Sequence, residues 1–224
     1  VSHYYEATGD KDFMLKCGLE MMLETARFWA SRVAYNKRAR VFEIKNVIGP
    51  DEFHEKVDNS VFTNEMARWN LKRAVELYEI FARKSPRKIT ALAKKICLRS
   101  NELGSWSKIA GNIAHLPVNS KGIIEEFEGY FKKKDIVPKK LDHFFMPAFP
   151  ADISIKDVGE TTLVKQADVV MLLYLLPEYF GDEEKKRNYL YYVKRTLHKS
   201  SLSPSIYSIM ASEVGDRARA YMYF

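Results

Sequence analysis

Residues 10–36 read DKDFMLKCGLEMMLETARFWASRVAYN, and they set the fold class. Asp10 or Asp12 can cap a helix running to about Asn36. Leu15, Leu19, Met22, Leu23, Ala26, Phe28, Trp29 and Val33 then cover so much of its circumference that burial on nearly every side is expected. Such a helix belongs to the inner layer of a two-layer helical assembly. The following helical period, about Val61 to Lys84, places Phe62, Met66, Trp69, Ala74, Leu77 and Phe81 on one face. Pro86 opens a third helix, since proline is welcome in a first turn, and Glu102 to Ala114 forms a shorter one. Apolar and amphipathic helices alternating around loops describe a closed double ring of helices. A helical solenoid would show a self-similar repeat of roughly 33 to 47 residues, and the chain has none.

Two stretches depart from helical periods. Val41 to Ile48 alternates at period two and predicts a short strand. Between Pro117 and Gly159 the pattern gives way to Pro, Gly and the large rings of Phe127, Tyr130, Phe131, Phe144, Phe145 and Phe149, an ordered irregular excursion of the kind that carries function. Helices are then expected from about Leu163 to Leu176, Asp182 to Thr196, Ser205 to Glu213, and from Asp216 onward. Ser2 to Glu6 read as the tail of a helix and Tyr221-Met222-Tyr223-Phe224 stops in mid-pattern, so a fragment is expected.

Composition excludes several classes of function. With 224 residues and 46% apolar content the chain can build a substantial core. Its longest apolar run, Val169 to Leu176, is stopped by Pro177 far short of a membrane span, and Val1 to Glu6 does not resemble a signal peptide. Cys17 and Cys97 sit in apolar helical surroundings and read as buried thiols of a reducing, cytoplasmic compartment. The histidines His3, His54, His115, His143 and His198 are too scattered for a metal site, so none is expected. The net charge of +7 is confined to Arg83–Arg99, where seven basic residues meet no acid, leaving 29 basic against 29 acidic residues elsewhere. That segment has no aromatic ring for a base to stack on, and Ile89, Leu92, Ala93 and Ile96 make it an amphipathic helix; no nucleic-acid partner is expected.

Three loops concentrate polar chemistry. Gly49-Pro50-Asp51-Glu52-Phe53-His54-Glu55-Lys56-Val57-Asp58-Asn59 packs four carboxylates, a histidine and an asparagine into one connection. Its plainer reading is a solvated acidic loop that caps the next helix through Asn59, Ser60 or Asp58. Thr161-Thr162-Leu163-Val164-Lys165-Gln166-Ala167-Asp168 opens the most apolar helix, where charges must be paired or face a wet cavity; here the plainer reading pairs Lys165 with Asp168 at the helix start. Leu197-His198-Lys199-Ser200-Ser201-Leu202-Ser203-Pro204-Ser205 offers an imidazole, an ammonium, hydroxyls and backbone donors before a helix, which suits an oxyanion; capping by Ser203 explains part of it.

Taken in order, these loops resemble the catalytic domain of glycoside hydrolase family 65, the inverting disaccharide phosphorylases of kojibiose, maltose, trehalose and related α-glucosides. The resemblance rests on Ile48 to Glu55 with Val57-Asp58-Asn59, on Lys165-Gln166-Ala167-Asp168-Val169, and on His198 to Ser205. It also includes Glu24-Thr25-Ala26-Arg27-Phe28-Trp29 and Ile123 to Tyr130. It implies an all-α fold, the later half of an (α/α)6 barrel, with residues 1–224 belonging to one catalytic domain. The family's amino-terminal β-sandwich, helical linker, first half of the barrel with its Trp-Asp pair, and carboxyl-terminal sheet are not found in this chain.

The resemblance further implies a reaction of an α-glucosyl disaccharide, kojibiose favoured, with inorganic phosphate to give β-glucose 1-phosphate and glucose. Phosphate is a co-substrate and no cofactor is implied. An inverting hydrolase needs an acid and a base, whereas an inverting phosphorylase needs only the acid. In family terms that acid is Glu52, with Glu55, three residues on, in reserve. Burial or a neighbouring carboxylate, Asp51 or Glu55, is expected to keep it protonated. Lys165 and Gln166 resemble the pair that holds the glucosyl unit; His198, Ser200 and Ser201 resemble the phosphate site. A homodimeric parent is implied. Ser60 departs from the asparagine expected after Asn59, which bears on acceptor choice.

Two other readings compete. An inverting α,α-trehalase on the same scaffold would turn over without phosphate and use a second carboxylate, Asp157 or Glu160, as base. A non-catalytic helical interaction module would use the basic face of Arg83–Arg99 and leave Glu52, Lys165 and His198 on unrelated surfaces, whereas an enzyme would bring these three together.

Overall fold

The computed structural model describes residues 1–224 and is mostly helical. It divides into two compact units, Val1–Glu43 with Glu65–Ala114, and Ile44–Asn64 with His115–Phe224.

In the first unit, α1 (Ser2–Thr8) is followed by α2 (Lys11–Phe13), a π-helical turn (Met14–Gly18) and α3 (Leu19–Arg32), which continue one another. Asp10 is the cap, its carboxylate accepting the Phe13 N–H at 2.9 Å. Leu19, Met22, Leu23 and Ala26 are buried along one side of α3, the side that carries α6 (Glu102–Asn112). Burial on nearly every side is not found. Met21 and Phe28, seven residues apart and so on one face, are 51% and 53% exposed. β1 (Ala34–Asn36) and β2 (Val41–Glu43) pair as an antiparallel hairpin. The strand expected to reach Ile48 stops at Glu43, because Asn46 takes a left-handed conformation and Val47 turns to exchange backbone bonds with Val57 instead.

The helix α4 spans Val61–Lys84, as its periodicity indicates, and α5 spans Pro86–Lys95 with Ile89 buried under its basic face. Two arginines tie the unit together. Arg27 grips the Glu102 carboxylate with Nε at 2.8 Å and Nη2 at 3.2 Å, and this bond holds that carboxyl below its usual range. Arg68, buried, donates to the carbonyls of Ala110 and Ile113 at 2.9 and 2.8 Å, satisfying the open carboxyl end of α6.

The second unit holds α7 (Asp168–Leu175), α8 (Asp182–Tyr192), α9 (Leu202–Glu213) and α10 (Arg217–Tyr223), with α7 packed on α8 and α9. Buried Lys185 on α8 binds Glu213 on α9. The excursion before α7 is irregular yet ordered by buried side chains. Tyr192 donates to the Ile124 carbonyl at 2.6 Å, the Ile124 N–H donates to Asn188, and Tyr130 donates to the Thr162 carbonyl at 2.7 Å.

Three helix boundaries differ from expectation for one reason. Residues 162–164 lie in an extended segment, bonded to Lys134 on one side and to Arg195 and Leu197 on the other, with Val164 bridged in parallel to Thr196. α7 therefore starts at Asp168 rather than Leu163, and α8 ends at Tyr192 rather than Thr196. The tighter turn after Leu197 lets α9 begin at Leu202. Val158, Leu163 and Leu197, with Phe53, Ile136 and Phe149 against them, form the apolar floor beneath this bridge. No helix is long and apolar enough to cross a membrane.

Candidate active site

The acidic loop is mounted on the segment preceding α7. Gly49 passes so close to Asp168 that a Cβ there would stand 1.7 Å from Oδ2. The Asp51 N–H donates to Asp168 Oδ1 at 2.6 Å, the Lys165 N–H donates to Asp51 Oδ1 at 2.7 Å, and the Gln166 amide donates to the Pro50 carbonyl at 2.7 Å. His54, buried, joins Asp51 Oδ2 through Nδ1 at 2.5 Å and the Thr161 carbonyl through Nε2 at 2.9 Å. A carbonyl only accepts, so Nε2 carries a proton, and a second proton must lie between Nδ1 and Oδ2, since two bare lone pairs would repel. Asp51 is thus a buried keystone, and Glu52 beside it is left outside.

Glu52 faces Lys165, carboxylate to ammonium, at 2.9 Å. The expected burial of Glu52 is not found: its side chain is 56% exposed, and the partner at its carboxylate is a cation. Glu55 is also exposed, and the loop is not helical, so Glu52 and Glu55 share no helical face. The pairing of Lys165 with Asp168 is likewise replaced by the Lys165–Glu52 pair.

Asp168 lies in a group of buried carboxylates. Its Oδ2 accepts from Ser60, and its own N–H and that of Val169 donate to Glu126, whose carboxylate caps the amino end of α7 (3.2 Å from Val169 N). Burial, with the Asp51 charge adding to it, pushes Asp168 up to about 8. Burial, then Asp168 and Asp51, raises Glu126 well above the carboxylate range. Ser60 is the cap of α4, accepting the Thr63 N–H at 3.3 Å, while Asn59 reaches the Ile44 N–H and Glu128. Ser60 is fully buried between Asp168 and α4, so the expectation that it touches acceptor choice loses its basis: it presents no surface to a sugar.

The third loop lies beside the second. From the Val164–Thr196 bridge, Gln166 and His198 each stand two residues on, and each has a buried polar atom without a hydrogen-bond partner, Gln166 Oε1 and His198 Nε2. His198 is held at φ 50° with its ring against Tyr207 and Tyr223, and burial, assisted by the Lys199 charge, lowers it to about 4, so the ring is neutral. The Lys199 ammonium is engaged at 2.8 Å by Asp142, a bond that draws Asp142 down to about 2. Ser200 Oγ accepts the Leu202 N–H at 3.3 Å and Ser201 is exposed at the start of α9. Ser203, expected as the cap, lies inside the helix and bonds His198 Nδ1 at 2.9 Å.

Glu52 and Lys165 are therefore in contact, Gln166 adjoins them, and the His198 loop runs along the strand beside Lys165. Asp157 and Glu160 are exposed, with Glu160 3.9 Å from Lys133. Residue patterns alone passed over Glu126 and the keystone role of Asp51. Glu126 had a signal, an acid between Ile123, Ile124 and Phe127 that charge patterning alone would leave on a surface.

A family model described as the glycosyl hydrolase family 65 central catalytic domain matches residues 1–224. The kojibiose phosphorylase of Thermoanaerobacter brockii is 49% identical over 225 residues, 100% of this chain and 29% of that protein. The 1,2-alpha-glucosylglycerol phosphorylase of Bacillus selenitireducens is 36% identical over 232 residues, again 100% of this chain and 29% of that protein. A solved structure described as a candidate kojibiose phosphorylase from the human microbiome superposes with a TM-score of 0.86 at 30% identity, covering 99% of this chain and 30% of its own. The chain spans less than a third of the length of these relatives.

Proposed function

The chain belongs to glycosyl hydrolase family 65, whose catalytic domain is an (α/α)6 barrel, and from that premise we propose that the whole protein is an inverting phosphorylase of an α-glucosyl disaccharide. Kojibiose is the favoured substrate, because three relatives named kojibiose phosphorylase are 49%, 49% and 44% identical here, against 37% for an alpha,alpha-trehalose phosphorylase and 29% for a maltose phosphorylase, although a fourth of that name is 34% identical. Residues 1–224 form part of its one catalytic domain, and the enzyme acts in the cytoplasm.

Glu52 is assigned the general acid, Lys165 and Gln166 the glucosyl unit, and His198, Ser200 and Ser201 the phosphate. The reaction balances with one acid. Glu52 gives its proton to the glycosidic oxygen as the bond from C1 to that oxygen breaks, and a phosphate oxygen bonds C1 from the opposite face. The proton that hydrogen phosphate carries restores the acid through solvent. A free sugar and β-glucose 1-phosphate leave. No base is required, because phosphate arrives as an anion.

The observation that supports this reading is the pair of unpartnered buried atoms Gln166 Oε1 and His198 Nε2, each two residues beyond the Val164–Thr196 bridge. A buried polar atom without a partner costs about 1–3 kcal/mol, so two of them on the adjoining segments of one bridge mark places a ligand would fill. The test is release of β-glucose 1-phosphate by the complete protein from kojibiose, maltose, trehalose and nigerose, with and without phosphate. Release from kojibiose that requires phosphate supports the assignment. Glucose released equally without phosphate makes the protein a hydrolase and removes the role given to His198, Ser200 and Ser201.

A further inference from the structure

A neutral imidazole has a single N–H, and which nitrogen bears it decides what the ring can bind. His198 is neutral near pH 7 because burial, with Lys199 nearby, lowers it to about 4. Its Nδ1 stands 2.9 Å from Ser203 Oγ, and its Nε2 is buried with no partner. The ring cannot turn freely, since Tyr207 meets it edge-on at 4.7 Å between centroids and Tyr223 covers it at 4.7 Å.

Two proton arrangements are possible. If Nδ1 carried the proton and donated to Ser203, the Ser203 hydroxyl would have to place its own hydrogen elsewhere. Ser203 is 2% exposed and makes no other side-chain hydrogen bond, so that hydrogen would be buried unsatisfied, and Nε2 would present a bare lone pair. If Ser203 donates to Nδ1, its hydrogen is satisfied and Nε2 carries the N–H. The second arrangement leaves one open group, a neutral donor, and a donor suits an oxyanion where a lone pair repels it.

We propose that Ser203 is a positioning residue that holds His198 in the Nε2–H tautomer, so that the ring donates to an oxyanion, inorganic phosphate. The inference rests on the phosphate role given to His198 above. Ser203 itself does not reach the anion; it acts through the ring, as outer-shell partners orient a ligating histidine. Chain geometry agrees with this division. Ser200 and Ser201 precede α9 and are half-buried or exposed, while Ser203 is inside the helix and points at the ring.

The experiment uses the complete protein with Ser203→Ala and Ser203→Thr beside wild type. Ser203→Ala is expected to raise the KM for phosphate about tenfold, the worth of one hydrogen bond, while the KM for the disaccharide stays within about twofold. Ser203→Thr, which keeps the hydroxyl, is expected to restore the phosphate KM. Ring nitrogen-15 spectra should show His198 protonated at Nε2 in wild type and a tautomer mixture in Ser203→Ala, which loss of packing alone would not produce. An unchanged phosphate KM in Ser203→Ala, or a wild-type ring protonated at Nδ1, overturns the inference. A wild-type reaction independent of phosphate overturns the functional reading instead, and the nitrogen spectra then still decide the tautomer.

Discussion

The backbone N–H of Asp51 donates to the carboxylate of Asp168 at 2.6 Å, with both residues 2% exposed and 117 positions apart in sequence. This bond holds the loop of the candidate acid to the start of α7. Burial keeps a proton on one end of it, with Asp168 raised to about 8 from an ordinary 3.8. A carboxyl raised on folding binds its proton more tightly in the folded chain. Its contribution to stability is fully present below about pH 4 and is lost as pH rises through about 8. Glu126, shifted the same way, adds in the same sense. The urea midpoint should therefore fall between pH 6 and about pH 9, and Asp168→Asn, which keeps an acceptor for the Asp51 N–H and cannot titrate, should flatten that fall. An equal slope in both proteins would exclude Asp168 as its source.

Gly49 is needed for space. The oxygen that a Cβ would meet at 1.7 Å belongs to a side chain fixed by two hydrogen bonds and unable to yield. Gly49→Ala should cost about 1–3 kcal/mol in chemical denaturation, and any shift that relieves the clash moves Glu52. Full stability with full activity would show that the loop is not held as described.

Arg68 is a structural residue of the first unit. Arg68→Met removes the guanidinium donors from the buried Ala110 and Ile113 carbonyls, which should lower stability by about 3 kcal/mol. The KM values of the folded fraction should not change. A change in KM for disaccharide at normal stability would contradict this division.

His54 ties Asp51 to the Thr161 carbonyl while its ring packs on Phe127 at 4.8 Å. His54→Phe keeps the ring contact and removes both polar bonds, leaving Asp51 Oδ2 buried without its partner while Oδ1 keeps the Lys165 N–H. A loss of about 3–5 kcal/mol is expected by thermal or chemical unfolding, with His54→Gln losing less because its amide can still donate. Equal losses would mean that the ring, and not its bonds, matters.

Much of this architecture was legible from residue patterns. The bounds of α4 follow from its 3.6-residue period, and Pro86 marks α5, because local rules govern both. The start of α7 differs from expectation because Leu163 and Val164 are apolar enough for either a buried helix or a buried strand, and only the distant pairing with Arg195–Leu197 decides between them. The family resemblance named candidate site residues, and their partners in the fold were not legible from it. Glu52 looked like a group to be buried, yet Asp51 takes the buried place, and no local pattern says which of two adjacent acids turns inward. Glu126 reaches α7 across 42 positions, and such pairing is written in the fold and not in spacing.

The central claim is that Glu52 delivers the proton to the leaving sugar. Glu52→Gln in the complete protein, assayed with phosphate on kojibiose and on 4-nitrophenyl α-glucoside, tests it directly, because nitrophenolate departs without help. The account predicts a loss of about 10²–10⁴-fold on kojibiose and a much smaller loss on the aryl glucoside. Equal losses on both substrates, or no loss on kojibiose, would contradict it.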